Sequence, residues 1–130
     1  MIFPQLLEFS DFGLLLLRLA VGLIFLIHGT KKLGMWKMKP SPEMPSNMLN
    51  IMRALSVVEP LAGAALILGV FTQLAAIVLA LVMAGALYFK IVVWKKKFAE
   101  PGGWEIDFML LMVNLSIIFI GGGAISTCKI

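Results

Sequence analysis

Four long apolar stretches dominate the chain, at about residues 12–29, 52–70, 73–89 and 108–125. Each approaches the roughly 20 predominantly apolar residues that a helix needs to cross a membrane. The apolar residues run continuously rather than alternating, and this favours helices over strands. The pattern therefore predicts an all-α integral membrane protein, a four-helix bundle of antiparallel up-down topology that forms a single domain over residues 1–130.

Composition argues against the soluble classes of protein. Hydrophobic residues make up 61% of the chain and charged residues 14%, whereas a soluble domain has about 25% charged residues. So few charges cannot cover a water-facing surface, and we therefore exclude a soluble enzyme domain and a disordered chain. The net charge of +4 would suit nucleic acid, but the lysines flank the apolar stretches, as topology signals do. The expected partner is the lipid bilayer, and no nucleic acid is expected.

The connecting segments differ in charge and predict an orientation. The first (about 30–51) and the third (about 90–104) each contain four lysines. These two segments share a side in a four-pass protein, so they are expected to be cytoplasmic in the plasma membrane, with both termini outside. Residues 1–11 contain two acids and no Lys or Arg. We therefore expect the first helix to be retained, not cleaved as a signal peptide.

Ionisable residues inside the apolar stretches are the strongest functional signal. Each costs about 2.5–3.5 kcal/mol on insertion scales and marks function by default. Glu59 lies near the middle of the second stretch, and Pro60 after it favours a kink that opens space for a ligand, a proton or water. A structural ion pair is the alternative, because Arg18 of the first stretch has a depth from which its side chain could reach Glu59. The single histidine, His28, could hydrogen-bond a carbonyl oxygen or move a proton, or could simply be a capped polar residue.

Several polar residues are expected at the same membrane face, above Glu59. Trp104 and Glu105 begin the fourth stretch, where Trp suits the interface and an acid suits the helix dipole. Together with residues from the other stretches they could form a polar mouth leading inward, lined by His28, Lys32, Arg53, Lys90, Glu105 and Asp107.

Resident metal cofactors are not expected within the chain. The single cysteine, Cys128, excludes an internal disulfide framework and a two-cysteine redox pair. One histidine cannot supply two haem ligands, and no cluster motif is present. The first connecting segment is rich in Met, but the irregular spacing argues against copper(I) ligation.

Short motifs are spread over about residues 13–127. The first apolar stretch contains Arg18-Leu19, Gly22, Phe25 and His28-Gly29, and Lys32-Leu33 follows it; the second contains Glu59-Pro60, Gly63 and Gly69, with Thr72 in the following turn; Gly103-Trp104-Glu105 and Asp107 precede the fourth. In their order and spacing these motifs resemble the first helix, the second helix with its turn and the start of the fourth helix of the DoxX family. The resemblance implies a four-helix membrane protein linked to redox chemistry, since the family is similar to the membrane subunit of thiosulfate:quinone oxidoreductase.

The resemblance makes a quinone-associated subunit of a membrane oxidoreductase complex the leading hypothesis. The quinone head group would lie in a mouth formed by His28, Lys32, Glu59, Trp104 and Glu105. His28 and Glu59 would hydrogen-bond its oxygens and pass protons, while electrons would come from a partner redox subunit or a small reductant. Two alternatives stay open. One is a small proton-coupled four-helix transporter that forms a homo-oligomer. The other is a non-catalytic membrane anchor or assembly subunit, locked by Arg18 and Glu59.

Overall fold

The computed structural model describes residues 2–125, and all regular elements in that range are helical. Four α-helices form the bundle: α1 (Ser10–Lys31), α2 (Ser46–Leu68), α3 (Thr72–Tyr88) and α4 (Glu105–Ile120). Two 3-10 helices flank α1, at Pro4–Phe9 and Lys32–Trp36, and a π-helical turn extends α3 at Phe89–Val93. The predicted all-α four-helix architecture is confirmed. Cys128 lies outside the described residues.

Three helical segments are long and apolar enough to cross a membrane: Pro4–Trp36, Ser46–Leu68 and Thr72–Val93. The fourth helix, α4, has 16 residues. At roughly 1.5 Å per residue it reaches about 24 Å, which is short of a ~30 Å hydrocarbon layer. The chain is a membrane protein by these helices, and a crossing by α4 stays a prediction.

Two helix ends differ from the predicted boundaries. Helix α2 begins at Ser46 rather than near residue 52, because Pro45 precedes it with φ −60° and an extended ψ of 159°. A proline is well suited to the start of a helix, where its missing N–H is not needed. Helix α4 ends at Ile120 rather than near residue 125. Gly121 follows it with φ +89°, a conformation that glycine adopts readily and that ends the helix.

The distribution of side chains is reversed relative to a soluble protein. Large apolar side chains are exposed along all four helices, whereas five polar or charged side chains are buried: Arg18, Ser56, Glu59, Thr72 and Asn114. In lipid the apolar surface needs no cover, and polar groups turn toward the protein interior. This arrangement fits a bundle surrounded by hydrocarbon.

Glycines set the register between α1 and α2. A Cβ atom on Gly22 would lie 2.6 Å from the carbonyl oxygen of Gly63, and a Cβ on Gly63 would lie 2.6 Å from that of Gly22. About two turns further along α1, Gly29 packs against the ring of Pro60. Small residues let membrane helices approach closely. The contact brings the end of α1 level with Glu59.

The remaining helices complete an up-down bundle. A tight turn joins α2 to α3, with Gly69 at φ +75° and Phe71 at φ +49°, so these two helices run antiparallel. Helix α3 packs mainly on α4, and all four helices contribute to the apolar core, for example Phe25, Leu66 and Ile117. The connections after α1 and after α3 consequently lie at the same end of the bundle.

Candidate functional site

A cavity of about 390 Å³ opens at this end of the bundle, between the connections after α1 and α3. Ligand sites generally range from about 300 to 1,000 Å³. Its wall is mostly apolar and comes from all four helices, the 3-10 helix after α1 and the π turn. The polar side chains that line it are His28, Lys32, Glu59, Lys90 and Asp107. The cavity therefore combines apolar walls with a few polar groups, the usual composition of a small-molecule site.

Glu59 is the most deeply buried acid of the cavity, and Lys32 is its partner. Lys32 Nζ lies 2.6 Å from Glu59 Oε1, with the side chains 26% and 2% exposed. Lys32 can reach Glu59 because the glycine register aligns the end of α1 with the middle of α2. The other carboxylate oxygen, Oε2, is buried and has no hydrogen-bond partner among residues 2–125. A buried polar atom normally has one, so Oε2 is open to a donor on a ligand.

His28 lies on the last turn of α1 and also lines the cavity. It precedes Lys32 by four residues, a spacing that puts both side chains on the same side of a helix. The histidine itself is exposed. The structure therefore brings together His28, Lys32 and Glu59, three of the five residues expected at the mouth.

A second ion pair lines the same cavity. Lys90 Nζ lies 2.6 Å from Asp107 Oδ2, and Lys90 also donates to the carbonyl oxygen of Gly103 at 3.2 Å. Asp107 lies in the first turn of α4, where the helix dipole favours a negative charge. The sequence placed both charges in the polar mouth, although not among the five residues expected to contact a ligand. The π turn sets the position of Lys90 in the cavity.

The π turn after α3 adds an aromatic wall. The backbone N–H of Trp94 donates to the carbonyl oxygen of Phe89 at 2.8 Å, and the two rings lie 5.9 Å apart, tilted by 35°. Residues five apart in a regular α-helix point in directions roughly 140° apart. The wider π turn brings them to one side, and both rings line the cavity. Periodicity alone gave no sign of Trp94 in the site.

Trp104 and Glu105, which were expected at the mouth, are placed elsewhere. Trp104 packs edge-on against Phe98 at 4.8 Å and against Phe108 at 6.2 Å, and Glu105 is exposed. Neither side chain lines the cavity. Asp107 lines the cavity instead, because its side chain lies two residues beyond Glu105 and therefore points roughly 200° away from it around the helix axis.

Arg18 has different partners from the one expected. Its Nε donates to the carbonyl oxygen of Leu66 at 2.9 Å, and its Nη1 donates to those of Gly122, at 3.0 Å, and Ile125. The glycine register sets Arg18 level with Leu66, seven residues beyond Glu59, or roughly 10 Å along the axis. The expected Arg18–Glu59 ion pair is therefore corrected. Arg18 joins the end of α2 to the segment after α4.

The Met-rich connection after α1 is attached to α2. Arg53 donates to the carbonyl oxygens of Met35 at 3.0 Å and Met38 at 2.8 Å, and Trp36 Nε1 donates to Ser56 Oγ at 2.8 Å. Arg53 was expected beside the polar mouth, but these bonds use its guanidinium to hold the connection. The connection is thus held against the first half of α2.

Comparison with known proteins identifies a family and two relatives that each match most of this chain. The sequence profile of the DoxX family matches residues 13–92. A protein of Bacillus subtilis (strain 168) named "Putative oxidoreductase CatD" is 30% identical over 115 residues, 85% of this chain and 81% of the relative. An uncharacterized protein of Haemophilus influenzae is 29% identical over 127 residues, 90% of this chain and 89% of the relative. No solved structure matches the chain significantly.

Proposed function

Because the chain belongs to the DoxX family, we propose that it is a quinone-associated subunit of a membrane oxidoreductase complex. The head group of the quinone would occupy the cavity beside Glu59. The observation that carries the proposal is the buried carboxylate oxygen Glu59 Oε2, which lacks a hydrogen-bond partner within the described chain and belongs to a residue of the cavity wall.

The chemistry of the cavity matches that of a quinone head group. Such a group is flat and largely apolar, and it carries oxygens that accept hydrogen bonds when oxidised and donate them when reduced. Lys32 and His28 can donate to an oxidised oxygen. Glu59 Oε2 can accept from a reduced one. The apolar wall excludes water, which strengthens each of these polar contacts.

A bound quinone would supply two-electron, two-proton chemistry. The residues of this chain would hold and move the protons. Glu59, buried beside Lys32, would exchange a proton at Oε2, and His28 at the exposed edge would exchange one with water. Electrons would come from a partner redox subunit or a small reductant. The Bacillus subtilis relative is named "Putative oxidoreductase CatD", and this name supports the redox class.

The test is the quinone content of the purified protein. The wild type and the Glu59→Gln variant are extracted into native-lipid discs, and bound quinone is measured by solvent extraction. A Glu8→Gln variant is the matched control, because Glu8 is exposed at the opposite end of α1. We expect stoichiometric quinone in the wild type and the control and a loss of it in Glu59→Gln.

Equal quinone in all three proteins, at the level of the surrounding lipid, would refute the proposal. In that case a substrate-stimulated proton flux that requires Glu59 would support the transporter hypothesis. Absence of such a flux, together with normal assembly of Glu59→Gln with partner proteins, would favour the hypothesis of a non-catalytic membrane anchor.

A further inference from the structure

The cavity has two Lys–carboxylate pairs, contributed by different halves of the bundle. The first pair, Lys32–Glu59, joins the 3-10 helix after α1 to α2, and the second, Lys90–Asp107, joins the π turn to α4. Both line the same cavity. A single polar anchor would be enough to hold one carbonyl or one hydroxyl group, so the presence of a second pair needs a separate explanation.

Lys90 owes its position to an irregular backbone. It lies within the π turn, where the N–H of Lys96 donates to its carbonyl oxygen at 2.7 Å. Single π turns inside α-helices are rare and often occur at functional sites. The same turn places the Phe89 and Trp94 rings on the cavity wall. One local distortion therefore supplies both a cation and an aromatic surface to the cavity.

The second pair retains hydrogen-bonding capacity. An ammonium group has three N–H donors, and Lys90 Nζ donates one of them to the carbonyl oxygen of Gly103. Its contact with Asp107 Oδ2 is an ion pair, and that buried carboxylate oxygen has no hydrogen-bond partner among residues 2–125. Both groups of the pair therefore keep hydrogen-bonding capacity for a ligand. The Lys90 side chain is 26% exposed, as is that of Lys32. The cavity thus offers a donor from each half of the bundle.

We propose that Lys90 and Asp107 form a second anchor, so that the cavity selects a flat ring with two opposed oxygens, a 1,4-quinone, over amphiphiles with one oxygen. This inference rests on the proposed function and extends it to the substrate class. One oxygen of the ring would face Lys32 and Glu59, and the opposite oxygen would face Lys90. The ring would lie against Phe89 and Trp94, as aromatic groups prefer.

The test compares two probes with the same decyl tail. One is a decyl-substituted 1,4-benzoquinone, and the other is decyl phenyl ketone, which has a single carbonyl oxygen. Binding is followed through the fluorescence of Trp94 in detergent-solubilised protein in which Trp36 and Trp104 are replaced by Phe. We expect the wild-type cavity to prefer the quinone by roughly ten- to a hundredfold, the effect of one hydrogen bond to a charged group.

Variants assign the preference to the second anchor. Lys90→Met should remove most of the preference for the quinone, while binding of the ketone changes little. Lys90→Arg, which keeps the charge and the donors, should retain it. Lys31→Met is the matched control, because Lys31 is exposed and does not line the cavity. Infrared spectra of the wild type with bound quinone give a measurement that needs no variant: both carbonyl bands should be shifted by hydrogen bonding.

The outcomes separate this inference from the proposed function. Quinone binding could require Glu59 and yet be unchanged in Lys90→Met, or one carbonyl band could be unshifted. Either result would overturn the second anchor and leave the proposed function in place. Failure of the wild type to bind the quinone at all would overturn both.

Discussion

The Lys32–Glu59 pair allows a quantitative prediction. Glu59 is 2% exposed and Lys32 is 26% exposed, so the two sides of the pair are unequal. Lys32→Met leaves a buried carboxylate with no compensating charge, and we expect a loss of about 3 kcal/mol, the lower end of the range for breaking a buried pair. Glu59→Gln leaves an ammonium group that can turn toward solvent, and we expect about 1 kcal/mol, as for partly exposed pairs.

The double variant provides the decisive comparison. With both charges removed, no uncompensated charge remains, and the loss should be close to the ~1 kcal/mol of Glu59→Gln alone. The coupling energy between the two positions is then about 3 kcal/mol, at the upper end for residues in contact. Lys31→Met, a neighbouring exposed lysine, should leave stability unchanged.

The assay is reversible unfolding in mixed micelles by SDS titration, followed by tryptophan fluorescence. Any bound ligand must be removed first, because a ligand that binds only the folded protein adds apparent stability. The stability losses of the two single variants could instead sum to the loss of the double variant, within about 0.5 kcal/mol. That result would refute the argument that Lys32 and Glu59 form a coupled, buried pair.

Two further predictions concern packing and orientation. Gly63→Ala should lower stability by about 1–3 kcal/mol, because its Cβ would overlap the backbone of α1. Gly13 has open space around it, so Gly13→Ala should leave stability unchanged or raise it by up to about 1 kcal/mol. The same unfolding titration measures both variants. If the termini are outside, a membrane-impermeant maleimide added to intact cells should label Cys128, whereas Lys96→Cys in a Cys128→Ser background should be labelled only after permeabilisation.

The helices and the core of the site could be predicted from the sequence. The continuous apolar stretches predict four helices because hydrocarbon admits few charges. The cost of charge in lipid likewise singles out Glu59. The clustering of His28 and Lys32 with Glu59 follows from topology, since an up-down bundle brings the end of its first helix beside its second. The sequence therefore predicts those features that depend on the exclusion of charge from hydrocarbon and on the up-down topology.

The partner of Glu59 could not be predicted, because it depends on the register between two helices. Depth counted from the ends of the apolar stretches put Arg18 within reach of Glu59. The register is set by where Gly22 and Gly63 meet, and it moves Arg18 about two helical turns away from Glu59. A shift of two turns, roughly 11 Å, would be needed to bring Arg18 beside Glu59. Glycine positions indicate that a close contact exists, but not which glycines face each other.

The second half of the site depends on backbone hydrogen bonds that side-chain patterns do not encode. Lys90 ends the third apolar stretch, and residues 91–93 are again apolar, but this pattern does not reveal the change from α to π geometry that turns Lys90 and Trp94 toward the cavity. The connection that follows is fixed by Gly103, where a Cβ would lie 2.6 Å from the carbonyl oxygen of Phe98, and the carbonyl of Gly103 accepts from Lys90. The cavity is thus coupled to a tight turn outside the bundle. Through its bond to Lys90, Gly103 belongs with the residues that shape the cavity, although it does not line it.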